Sequence, residues 1–136
     1  MVEAEFKLIL PKFDNSKRRI NPEEFEPYFN ELIDEFGGIT VVPSALGCWR
    51  DDKTGKMVCD ENIIIYTALN SSDPKEINKK YNFIKKLSEK AGKEFGQASV
   101  FVENDIIADV SFIDGKFKEK LERGKVISSL LDRRIL

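Results

Sequence analysis

Hydrophobic and polar residues alternate from Phe6 to Leu10, with Phe6, Leu8 and Leu10 on one side of an extended chain and Lys7 and Ile9 on the other. The pattern predicts a short strand over Phe6–Pro11 with one covered face. A polar run follows and carries Lys12, Lys17, Arg18 and Arg19 before Ile20. From Asn21 the period changes. Phe25, Phe29, Leu32 and Phe36, with Tyr28 beside them, recur at helical spacing. Asn21 is placed to cap free N–H groups, Pro22 suits the first helical position, and Glu24 stands three residues beyond the cap. Gly37 and Gly38 end the pattern. Pro27 conflicts with it, because a proline inside a helix removes a donor and crowds the preceding turn. The helix is therefore expected either to bend there or to begin its regular part later.

Ile39–Val42 has the β-branched character of a strand, is interrupted by Pro43, and resumes around Leu46–Arg50. Asp52-Lys53-Thr54-Gly55 is good turn chemistry, and Met57–Leu69 contains the run Ile63-Ile64-Ile65-Tyr66. Together these predict a long hairpin. Asp73, Pro74 and Glu76 then open a second helix whose stripe is Ile77, Tyr81, Ile84, Leu87 and Ala91, with Gly92 closing it. Ala98–Glu103 alternates again, with Ala98, Val100 and Val102 as the inner face. The order is β-α-β-β-α-β, the split βαβ arrangement of the ferredoxin-like α+β fold, with two helices on one face of an antiparallel sheet. Residues 1–105 are expected to form this domain. Residues 106–136, with Phe117, Leu121, Ile127, Leu130 and Leu131, form a C-terminal strand and helix appendage that packs on its own domain or on another subunit.

Composition narrows the function classes more than it names one. The chain has 136 residues, 41% of them hydrophobic and ten of them Phe, which supports one domain with a full core. Its 22 basic and 24 acidic residues give a formal charge of −2, so no general attraction to nucleic acid or an acidic membrane is expected. There is no long apolar run and no secretion-type start, so a cytoplasmic protein is the expectation. The abundance of Lys and Glu beside the lack of His resembles thermophile composition. Without His, neither a Ser-His nor a Cys-His pair is available within the chain.

Cys48 and Cys59 flank the hairpin turn. One register sets them face to face and allows a cross-strand disulfide, whereas a bulged turn shifts them to opposite faces; both registers are open. The pair makes a poor zinc site without histidines, and no metal or cofactor is expected. Asp51, Asp52, Asp60, Glu61, Glu103, Asp105 and Asp109 have no spacing that marks a hydrolase or metal centre. Lys12, Lys17, Arg18 and Arg19 precede a helix N-terminus, where basic side chains and free N–H groups can hold an anion.

The segments Gly38-x-Thr40 and Gly47-x-Trp49-Arg50-Asp51 resemble uncharacterised bacterial and archaeal small-domain families with a Gly-x-Thr strand and a Gly-x-Trp-Arg-Asp hairpin. The likeness spans residues 6 to 103 and implies the same α+β fold, with no activity to transfer. Independently of it, Thr40, Trp49, Arg50, Tyr66 and Glu103 are candidates for a ligand pocket. The leading expectation is a non-enzymatic domain that self-associates through its sheet face or tail, or binds a small ligand. A small enzyme or anion-binding protein using Arg50 or the Lys17–Arg19 loop with carboxylates is one alternative. A weak nucleic-acid-binding module is another, with Phe101 and Ile9 outward on the open sheet.

Overall fold

The computed structural model describes residues 4–97 and 100–105. The appendage expected over 106–136, and the inner-face position Ala98, lie outside the described residues. The elements are β1 (Ala4–Pro11), α1 (Pro22–Phe36), β2 (Thr40–Arg50), β3 (Met57–Leu69), α2 (Pro74–Glu94) and β4 (Val102–Asp105). The strands form one antiparallel sheet in the order β2-β3-β1-β4. This is the ferredoxin-like β-α-β-β-α-β fold. Its central strand β1 lies between β3 and β4, so the outward residues Glu5 and Lys7 sit between outward residues of both neighbours.

The core lies between the sheet and the two helices. Ala4, Phe6, Leu8 and Leu10 of β1 and Ile63 and Ile65 of β3 meet Phe25, Tyr28, Phe29 and Leu32 of α1 and Ile77, Ile84, Leu87 and Ala91 of α2. Phe95 follows α2 and seals one end, its ring 5.6 Å from Phe25 and 5.7 Å from Tyr28 between centroids. The Tyr28 hydroxyl donates to Glu94 Oε1 at 2.9 Å, which satisfies the polar end of a buried ring. Burial, then the adjacent Glu94 carboxylate, push the Tyr28 hydroxyl far above its usual pKa.

The helices depart from expectation at two points. Of the two outcomes expected at Pro27, the late start is ruled out, because helix α1 begins at Pro22 and continues through Pro27. Pro27 and Glu23 are both exposed, so the carbonyl that loses its i→i−4 partner remains open to water. Helix α2 does not end at Gly92. It runs to Glu94, because Ala91 and Phe95 are both drawn into the core, and the left-handed residue is Gly96, at φ 64°. The hairpin strand does not break at Pro43 either. A bulge between Val42 and Ala45 absorbs the interruption, and β2 runs unbroken from Thr40 to Arg50.

Candidate functional site

With both helices on one side, no described element covers the other face of the sheet. Four strands bring a polar band together on that face. Thr40 of β2 stands opposite Tyr66 of β3, Tyr66 opposite Lys7 of β1, and Lys7 opposite Glu103 of β4. Lys7 Nζ is 3.3 Å from Glu103 Oε2 and 5.2 Å from the centre of the Tyr66 ring, so one ammonium engages a carboxylate and an aromatic face together. The hydrogen bond that Lys7 donates to Glu103 holds it above the usual lysine pKa. Next to this band the face turns apolar. Val42, Ile64 and Ile9 stand in one row across the sheet, and the Ile9 N–H donates to the Phe101 carbonyl at 3.1 Å. The Phe101 side chain is 53% exposed. A polar band bordered by apolar side chains can receive a ligand that is partly flat and partly polar.

Three of the five pocket candidates (Thr40, Tyr66 and Glu103) therefore share this band. Trp49 lies on the same face but far along the hairpin. Its partner Val58 is eight residues from Tyr66, about 26 Å at strand spacing. Arg50, the next residue, points to the opposite face, and its Nη1 donates to the Gly55 carbonyl at 2.7 Å across the turn. Trp49 and Arg50 therefore do not form one wall of a pocket, because neighbouring residues of a strand alternate sides.

The hairpin outruns the rest of the sheet. Pairing of β1 with β3 ends at Pro11 opposite Asn62, followed by one further bond from the Lys12 N–H to the Glu61 carbonyl. The rows Gly47–Asp60, Cys48–Cys59, Trp49–Val58 and Arg50–Met57 form a two-stranded ribbon, with no third strand paired to them among the described residues. Cys48 and Cys59 face each other and are joined as a disulfide. Both are exposed, as are Leu46, Trp49 and Met57 along the ribbon.

The basic loop is organised around carboxylates rather than left open. Asp14 accepts from the backbone N–H groups of Ser16 and Arg18 and from Arg18 Nε. Arg18 also donates through Nη1 and Nη2 to the two oxygens of Glu24, and Glu24 accepts from the Asn21 N–H at the helix start. The Arg18 guanidinium, then the Asn21 N–H, hold Glu24 below the usual carboxylate range. At Asp14 desolvation acts upward, but the N–H groups of Arg18 and Ser16 with the guanidinium outweigh it and bring the carboxyl down. Lys12 is largely buried, and Lys17 takes a left-handed backbone at φ 67°. Arg18, the best-placed cation for an external anion, already has two partners.

Lys7 is the site residue that sequence reasoning left out. The signal was available: a β-α-β-β-α-β order makes the first strand central, so its one outward cation must lie between β3 and β4. Lys7 is also flanked on this face by Glu5, Glu103 and Asp105, which makes the sheet edge acidic and disfavours a nucleic-acid backbone. Among the described residues no group of three His, Cys, Asp or Glu side chains is placed to hold a metal ion. No described helix is long and apolar enough to cross a membrane.

No protein-family model and no curated protein matches the chain by sequence. Solved structures do match it in shape. A phage SAM lyase in complex with S-methyl-5′-thioadenosine superposes with a TM-score of 0.57 at 18% identity, over 86% of this chain and 93% of that one. A phage SAM lyase in its apo state gives 0.55 at 17% identity, over 87% and 94%. The divalent cation tolerance protein CutA1 of Thermus thermophilus gives 0.50 at 14% identity, over 80% and 87%. The likeness is one of fold. At these identities it carries no residue roles with it.

Proposed function

We propose that the domain binds a small molecule on the open face of its sheet, and that copies of the chain assemble so that the site is closed by a second copy. The observation that carries this reading is the band Thr40–Tyr66–Lys7–Glu103, set beside the apolar row Val42–Ile64–Ile9. The described residues supply contacts from one side of this face only, whereas small-ligand sites enclose most of their ligand. Trp49 faces the same side but stands too far along the hairpin to reach the band of its own chain, and so is suited to another copy's. The phage SAM lyase that shares this fold holds S-methyl-5′-thioadenosine, which suggests a ligand class: a nucleoside with a thioether or sulfonium group. In this chain Tyr66 would stack on a flat ring, and Glu103 would accept hydrogen bonds from hydroxyls or face a cation.

Isothermal titration with S-methyl-5′-thioadenosine, alongside sedimentation velocity, tests both parts. Saturable binding that is lost in Tyr66→Ala and Glu103→Gln, by an oligomer, is the expected result. A strictly monomeric chain that gives no binding heat with this compound or with SAM would overturn the proposal. Product analysis after incubation with SAM separates a binding module from a lyase.

A further inference from the structure

We infer that Cys48 and Cys59 form a reversible dithiol–disulfide site that acts on the hairpin ribbon alone, rather than a staple for the whole domain. This inference is independent of any ligand. Both cysteines are exposed, and their row lies beyond the last residues of β1 that pair with β3. None of the core side chains belongs to the rows Gly47–Arg50 or Met57–Asp60, so the packing of sheet on helices does not depend on the bond. The ribbon itself does. Among the described residues it has no third strand and no covered apolar face, and two strands alone are marginal in water. Apart from the bond, it is tied by the ladder pairing of these rows and by turn contacts, among them Asp51 N–H to the Lys56 carbonyl, Gly55 N–H to the Asp51 carbonyl and Arg50 to the Gly55 carbonyl.

The chemistry requires a dithiol as co-reactant. Its thiolate attacks one exposed sulfur, the Cys48–Cys59 bond breaks, and a mixed disulfide forms with the other cysteine released as a thiolate. The second thiol of the reagent then closes on the mixed disulfide. Two electrons pass to the protein, which gains two thiols, and the reagent leaves as its own disulfide. Exposure of both cysteines leaves either one open to the first attack. The consequence is conformational. Oxidised, the ribbon holds Trp49 on the face that carries Tyr66 and Lys7; reduced, the rows beyond Glu61 lose their covalent cross-link and are covalently joined only through the turn.

Trp49 is the chain's single tryptophan and sits next to Cys48, so it reports on the ribbon directly. The full chain is titrated with dithiothreitol without denaturant, while thiols, Trp49 emission and amide exchange are followed. Two thiols per chain are expected to appear, with a red-shifted emission that reverses on reoxidation. Exchange at Val58 and Asp60 should speed by at least about tenfold while Phe6 and Ile65 stay within about twofold. The Cys48→Ser/Cys59→Ser variant should match the reduced protein and remain folded by circular dichroism. Three results would each overturn the inference: thiols that appear only after unfolding, a domain that melts as a whole on reduction, or a ribbon whose exchange and emission do not change.

Discussion

Gly55 and Gly96 have nearly the same backbone, φ 68° and φ 64°, but different surroundings. A Cβ on Gly55 meets nothing within 4 Å, whereas one on Gly96 lies 2.6 Å from Asn15 Cγ and 3.0 Å from its Nδ2. Alanine at either site carries the left-handed cost of about 1–2 kcal/mol. At Gly96 the Asn15 side chain must also leave its rotamer, a further cost of about 0.5–1.5 kcal/mol. Gly96→Ala should therefore be the more destabilising by about 1 kcal/mol, and the terms common to both alanines, including their effect on the unfolded chain, cancel in the comparison. Urea unfolding of the oxidised protein, read from midpoints at constant m, gives the two values. Asn15→Ala alone should be nearly neutral, and combined with Gly96→Ala it should recover the extra cost as a coupling energy of about 0.5–1.5 kcal/mol. Equal penalties at the two glycines, or no coupling with Asn15, would refute the steric reasoning.

Phe95→Ala removes a ring that is 1% exposed and packs on Phe25 and Tyr28, and should lower unfolding free energy by about 3–5 kcal/mol in the same assay. Pro27→Ala restores a donor for the Glu23 carbonyl on an exposed helix face and should raise stability by about 1–3 kcal/mol; a decrease would mean the proline is favoured there. Arg18→Met tests the carboxylate cluster through pH. Asp14 and Glu24 are held below their ordinary values of 3.8 and 4.5, so their pairing stabilises the fold above those values and fades as pH falls through the lower folded ones. The stability gap between wild type and Arg18→Met should thus be constant near neutrality and close in acid, as followed by urea midpoints across the pH range.

Much of the fold was legible because its local signals agree with one another. Asn21-Pro22 and Asp73-Pro74 mark both helix starts, and Phe6, Leu8 and Leu10 show the inner face of β1 without ambiguity. What was misread depended on competition that the local sequence does not show. Gly92 looks like a stop, yet Ala91 and Phe95 bury together and carry the helix past it. Pro43 looks like a break, yet one bulge shifts the register there and the ladder with β3 continues on both sides. The face-to-face placement of Cys48 and Cys59 depends on how the turn from Asp51 to Lys56 is built, and turn composition alone allowed two answers. The candidate band was half legible. Thr40, Tyr66 and Glu103 stood out by type, but grouping Trp49 and Arg50 with them overlooked the alternation that sends those two to opposite faces. Lys7 was passed over because its meaning comes from topology: only a central strand places one side chain between two others.

The bulge at Pro43 and Ser44 also bears on how the protein stays out of aggregates. Among the described residues strand β2 is an edge, and eleven residues of straight, unpaired edge would be a template for adding strands from other chains. Pro43 offers no N–H, and the bulge throws the two halves of the strand out of a common line, leaving only the short stretches Thr40–Val42 and Ala45–Arg50 to be copied. The irregularity that interrupts the hydrophobic pattern thus serves as a guard, letting a long hairpin reach into solvent without seeding a fibre.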